Sequence, residues 1–265
     1  MDFSLLMFVL LVITGALWAI DHFVWAPARA DSGEDQGKKE PVAVEYAKAF
    51  FPVILIVFLL RSFLVEPFHI PSGSMMPGLV AGDFILVKKY EYGIRLPIIN
   101  RKIVSTKDPE RGDVVVFRYP RQPSTNYIKR AIGLPGDRVV YSNKTLYING
   151  KRIEQFGASP EMMRESNGLL TQMKRLTESL DSRQYSIYID PNSGLETREF
   201  EVPENNYFVM GDNRDRSNDS RYWGFVEDKY LVGKAFFIWL SWKENDGEGR
   251  FWQRIQWNRI GSSIS

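Results

Sequence analysis

The chain has 265 residues, and its 34 Lys or Arg nearly balance 32 Asp or Glu, leaving a net charge of +2 and room for one or two domains. That balance removes the reason to invoke nucleic acid, which calls for a basic face. With no cysteine, and with His22 and His69 as the only histidines, the sequence excludes disulfides and cysteine-ligated metal and argues against any His/Cys zinc site.

Residues 3–20 form an eighteen-residue stretch without a charge, near the length that crosses a bilayer core as a helix. Trp18 and Trp25 stand around its end, where amphipathic rings favour the interface. A cleaved leader cut near Ala28-Arg29-Ala30 is the competing reading. Met1-Asp2 carries no Lys or Arg, and a leader wants a positive start. Residues 1–25 are therefore read as a first transmembrane helix. Residues 26–41 read as a connector, since 31–41 is charged, turn-rich and without apolar period. Arg29, Lys38, Lys39 and Lys48 place this loop in the cytoplasm and the N-terminus on the opposite side. Residues 42–62 read as a second transmembrane helix. It admits Glu45 and Lys48, three apart, which can pair with each other or face water. Pro52 is tolerable where neighbours satisfy the freed carbonyl, and Arg61 can snorkel outward. Everything after about Val65 then lies outside the cytoplasm.

The next stretch is Ile70-Pro71-Ser72-Gly73-Ser74-Met75-Met76-Pro77. Prolines at both ends restrict the backbone, and glycine between the serines permits close approach of another chain. By itself this reads as a polar turn, or as a nucleophile if a base takes the hydroxyl proton. Beyond it the helical period disappears. Short β-branched and aromatic runs at 84–87, 114–117, 138–141, 145–148, 207–210 and 231–242 alternate with turn residues. Asn149-Gly150 between two such runs signals a hairpin. The expectation is a mainly β, barrel-like body spanning 63–154 and 203–265. Residues 155–202 read as an inserted satellite lobe without chemistry. Within it Leu169, Met173, Leu176 and Leu180 are spaced for a short amphipathic helix, and 185–190 for a strand.

Lys129 lies in the apolar strand context Tyr127-Ile128-Lys129-Arg130-Ala131. A strand lysine is ordinarily an exposed charge. Burial would lower its pKa and let it accept a serine proton, as in Ser–Lys variants of the catalytic triad. A third stretch, 211–224, is rich in carboxylates. Read as an EF-hand from Asp215, it has Ser220 where glycine is needed and Val226 where glutamate is needed, so it fails as a calcium loop. It reads better as a rigid polar loop, shaped by an Asp219–Arg221 ion pair and offering the Ser217 hydroxyl.

These three motifs, in this order behind two apolar spans, resemble one family closely: the bacterial type I signal peptidases, in their Gram-negative form. The resemblance rests on the second span, Pro71-Ser72-Gly73-Ser74-Met75-Met76-Pro77, Arg111-Gly112-Asp113-Val114-Val115-Val116-Phe117, Tyr127-Ile128-Lys129-Arg130, Gly133-Leu134-Pro135-Gly136-Asp137 and Gly211-Asp212-Asn213-Arg214-Asp215 through Trp223-Gly224. It implies a membrane-bound endopeptidase with Ser74 as nucleophile and Lys129 as general base. Ser72 would join the Ser74 amide in the oxyanion hole, Ser217 would orient the lysine, and Asp219 and Arg221 would support the site. Ile70, Met75, Leu79, Tyr127 and Ile128 are candidate walls of a substrate pocket, with ordinary core packing as the alternative. The implied partners are signal peptides of preproteins leaving the secretion machinery, cut after small residues of the Ala-X-Ala type, and membrane lipids. No cofactor or metal is implied. The implied location is the bacterial inner membrane, multi-pass, with the N-terminus and catalytic domain periplasmic. The aromatic runs 236–242 and 251–257 suit an interface as well as a core strand and surface tail. A tethered binding factor without catalysis, a Ser–His hydrolase using His69, and a soluble Ser–Lys self-cleaving repressor are the rivals. The two spans count against the last.

Overall fold

An apolar segment without water must satisfy its backbone internally, and α1 (Phe3–Ile20) does so as an unbroken helix. The computed structural model describes residues 3–31, 40–164, 169–243 and 251–264. It comprises two compact units, Met1–Glu66 with Arg95–Ile103, and Pro67–Ile94 with Val104–Ser265.

In the first unit, α1 runs through a π-helical turn, Asp21–Trp25, into α2 (Ala26–Asp31). Helix therefore persists beyond Trp25, where the connector was expected to begin. Ala26, Ala28 and Ala30 favour helix, and the π turn ends two residues before Pro27, where a regular ladder would lose a donor. The rest of the expected charged loop, 32–39, lies outside the described residues. α3 (Val42–Leu59) contains Pro52 and continues through a π turn, Leu60–Leu64. Two segments, Ser4–Ala28 and Val42–Leu64, are long and apolar enough to cross a membrane. Gly15 lets α1 and α3 close up, since a Cβ there would lie 2.9 Å from the Phe51 ring. Lys48 does not pair with Glu45 as its spacing suggested. Its Nζ lies 2.8 Å from Asp21 on the neighbouring helix and 2.8 Å from Glu40. A carboxylate presented by the packed helix outcompetes one on the lysine's own helix surface.

Among the described residues the chain beyond the second apolar helix is built mainly on strands, with the 95–103 hairpin counted in the first unit. They are β1 (Val65–His69), β2 (Asp83–Lys88), β3 (Ile94–Arg95), β4 (Lys102–Val104), β5 (Val114–Tyr119), β6 (Gln122–Gly133), β7 (Arg138–Ser142) and β8 (Thr145–Ile148). There follow β9 (Lys151–Arg152), β10 (Glu154–Arg164), β11 (Leu170–Leu180), β12 (Arg183–Ile189), β13 (Thr197–Glu201), β14 (Asn206–Met210), β15 (Val226–Glu227) and β16 (Leu231–Ser241). A seven-stranded sheet runs β1-β2-β16-β5-β6-β14-β15, and smaller sheets run β13-β7-β8-β9, β10-β11-β12 and β3-β4. The mainly β class is as expected, but no described sheet closes on itself. β1 and the two-residue β15 remain the ends of the seven-stranded sheet, so among the described residues no closed barrel forms. The Asn149-Gly150 hairpin forms, with both residues at positive φ (51° and 78°) as a two-residue turn requires.

The helix expected at 168–180 is instead β11. From Leu176 the inward positions alternate as Leu176, Glu178 and Leu180. A count of apolar residues skips Glu178, and what remains mimics helical spacing. β10 and β12 flank β11 and take up its backbone groups, which decides for strand. This segment is also not a satellite. Leu176, Leu180, Tyr185, Ile187 and Ile189 share one buried core with Ile132, Val139 and Leu146.

Candidate active site

Strand register assembles the site. Lys129 sits in the middle of the sheet opposite Val115, and the next residue, Arg130, faces Met210 at the end of β14. The loop from Gly211 to Asp219 thus begins beside the lysine. Two prolines and a glycine keep the chain around Ser74 out of regular structure; it makes a single tight turn, Gly73–Met75, entered from an extended Ser72. Asn213 pins this turn to the loop. Its backbone N–H donates to Ser74 O at 3.1 Å and its Nδ2 to Gly73 O at 3.0 Å. Gly211 permits the contact, since a Cβ there would fall 2.2 Å from Ser217 Oγ and 2.5 Å from Ser74 O.

The result is a direct hydrogen bond, with Lys129 Nζ donating to Ser74 Oγ at 2.7 Å across 55 residues of sequence. The amine also donates to Ile128 O at 2.9 Å and lies 5.5 Å from the centre of the Tyr127 ring. Lys129 is only 4% exposed. Burial pushes its pKa from the ordinary 10.5 down to about 8, against the opposing pull of Asp219 and Asp212. That pull is limited because each carboxylate is already matched. Arg130 grips Asp212 through two bonds of 2.8 Å, donates to Gly112 O at 2.7 Å, and stacks 3.8 Å over the Tyr185 ring. Arg221 grips Asp219 through two bonds of 2.8 Å, while Asp219 accepts from the Gly211 N–H at 3.0 Å. Such bidentate pairs have strong directional geometry. They neutralise the acids that would otherwise hold the lysine as an ammonium.

Ser72 Oγ lies 3.4 Å from Ser74 Oγ. The Ser74 amide stands in the first turn of its short helix, where N–H groups have no partner within the turn. Ser217 Oγ is buried beside Gly211 without a hydrogen-bond partner, so in this structure the lysine is oriented by Ile128 O and not by Ser217. His69 is exposed and packs 4.7 Å from the Phe84 ring, while the Ser74 hydroxyl faces the lysine. The proposed pocket walls divide. Ile70, Met75, Leu79 and Ile128 belong to one buried cluster with Ile85, Val87 and Ile238. Tyr127 packs with a second cluster and stacks on Tyr119 at 4.4 Å. Met75 and Leu79 also border a cleft of about 400 Å³ with Gly78, Val114, Arg130 and Asp212.

Sequence reasoning overlooked Asn213, the Arg130–Asp212 pair, and a further buried pair. Arg214 Nη1 donates to Glu178 Oε1 at 3.0 Å and Nη2 to Oε2, with both side chains fully buried. Glu178 comes from near the C-terminal end of β11, and Tyr185 Oη also donates to it at 2.7 Å. A run of Asp, Asn and Arg inside a chain with apolar flanks was the available signal, but it reads as a rigid polar loop shaped by Asp219 and Arg221 alone.

A family profile described as signal peptidase, peptidase S26, matches residues 43–242. The chain is 44% identical over 276 residues to signal peptidase I of Pseudomonas aeruginosa, covering 92% of this chain and 94% of that one. It is 45% identical over 271 residues to signal peptidase I of Pseudomonas fluorescens, with coverage of 92% and 94%. It is 38% identical over 306 residues to signal peptidase I of Haemophilus influenzae, with coverage of 93% and 88%. With a buried Ser–Lys pair in its β body and two apolar helices to anchor it, this chain belongs to the peptidase S26 family of signal peptidases.

Proposed function

We propose that this membrane-anchored peptidase removes signal peptides from exported preproteins through Ser74 and Lys129. The 2.7 Å contact between a dry amine and the Ser74 hydroxyl carries the reading. Neutral Lys129 takes the proton as Ser74 attacks the scissile carbonyl, and the protonated amine returns it to the leaving amino group. The Ser74 amide and Ser72 hydroxyl stabilise the oxyanion. Water, deprotonated by the same lysine, then resolves the acyl-enzyme. The cleavage segment binds extended, as an added strand, and shallow subsites admit alanine and reject larger groups by clash. The catalytic body faces the periplasm and the 31–40 segment faces the cytoplasm. Exposed Trp239, Trp252 and Trp257 support contact with lipid. Acid quenching during turnover of a preprotein is the test. The peptide containing Ser74 should carry the mass of the acyl group; rapid cleavage with that peptide always unmodified rejects the mechanism. Reporter fusions within 31–40 and after Val65 should lie on opposite sides of the membrane.

The lysine's titration gives a second expected result. Its protonated form cannot act as base, so kcat/KM should climb with pH and level off above about 8. The same shift has a stability sign. The folded pKa lies below the unfolded one, so the unfolded chain binds more protons between the two values. The penalty is full below about 8 and is relieved as pH rises from there toward 10.5. Lys129→Met should therefore stabilise the protein at pH 7 by at most about 3 kcal/mol while abolishing cleavage. The gap in thermal midpoint between variant and parent should shrink at high pH; a gap constant with pH excludes a titrating buried amine.

A further inference from the structure

Residues 95–103 read Arg-Leu-Pro-Ile-Ile-Asn-Arg-Lys-Ile and join β3 to β4. Leu96 N donates to Arg101 O at 2.9 Å and Asn100 N to Leu96 O at 2.9 Å, closing the hairpin. At its tip Ile98 has φ +70°, and Ile99 N donates to Pro97 O at 2.8 Å. This is a three-residue γ-turn in its rare, strained hand. A β-branched residue is among the least suited to that backbone region, so the outlier calls for a function.

The turn carries its side chains outward. Ile98 is 40% exposed, Ile99 66% and Ile103 53%, and none belongs to a buried cluster. Arg95, Arg101 and Lys102 flank them in sequence, and the segment contains no acid. The same nine residues belong to the compact unit that holds both apolar helices, although their flanks belong to the β body. An apolar tip with basic shoulders matches the chemistry of a bilayer surface, where isoleucines reach the acyl boundary and cations meet phosphate headgroups.

We propose that the 95–103 hairpin is a further membrane contact, dipping Ile98 and Ile99 into the headgroup–acyl boundary of the bilayer that holds α1 and α3. This goes beyond the catalytic reading and does not depend on it.

The absence of cysteine makes the test direct. Ile99→Cys and, separately, Ile98→Cys are labelled with an environment-sensitive fluorophore in the full chain, reconstituted in phosphatidylethanolamine–phosphatidylglycerol vesicles. Thr197→Cys on exposed β13 is the aqueous control. The probe at 98 or 99 should emit to the blue of the control, be quenched about twofold or more by brominated acyl chains, and resist iodide. Iodide access at both tip sites equal to that at 197 overturns the proposal. So does shielding that arises only when a preprotein is added, which assigns the tip to substrate.

Discussion

Ser74→Ala and Lys129→Ala should each lower kcat/KM for preprotein cleavage by about 10,000-fold or more, and the double variant should be no worse than either single one. The non-additivity is the discriminating feature. In the proposed mechanism one proton moves between the two atoms joined at 2.7 Å, so removing either would end the shared step and leave the other with nothing to do. Lys129→Arg should not rescue, because a guanidinium keeps its charge and cannot serve as base at working pH. His69→Ala should retain most activity, since its ring packs on Phe84. Rate measurements on purified, reconstituted variants decide this. Losses that multiply in the double variant, or cleavage that survives both single substitutions, exclude the dyad.

Glu178→Ala should destabilise the β body by about 3–5 kcal/mol, since it strands a buried guanidinium. Burial alone would raise the Glu178 pKa, but the Arg214 charge overrides it and holds the carboxyl below its ordinary 4.5. The pair's contribution is therefore present at neutral pH and lost as pH falls through that lowered value. Cleavage should fall as well, because Arg214 lies directly after Asn213, and its carbonyl accepts from Arg221 at 2.5 Å. Replacing both partners with apolar residues, Glu178→Leu with Arg214→Met, should recover much of the stability. Thermal unfolding at pH 7 and pH 4 measures the effect. A cost below about 1 kcal/mol would mean that water reaches the pair.

These expectations separate what local pattern reveals from what it hides. Asn149-Gly150 announced its hairpin because a two-residue turn needs φ > 0 at both positions, a demand local to the chain. The two apolar helices, expected at 1–25 and 42–62 and running over 4–28 and 42–64, were legible for a similar reason: an apolar run of about that length has few ways to satisfy its own backbone. Residues 170–180 misled because strand and helix periods differ only when every inward residue counts. The inward residue there was Glu178, whose partner lies 36 positions away. Lys48 likewise took Asp21 and Glu40 over Glu45, since the helix packed against it brought a better acceptor than its own surface.

By itself the sequence determined the residue types, their order, the two anchors and the β character of the body, because backbone saturation, turn conformation and apolar length act within short windows. Tertiary structure alone decided that Lys129 is dry, that Arg130 and Arg221 neutralise the acids around it, and that Asn213 holds Ser74 against it. Desolvation and ion pairing depend on what surrounds an atom in space. Here those surroundings come from β6 and from the loop that follows β14, and the β6–β14 pairing joins segments too far apart in sequence for any local window to contain.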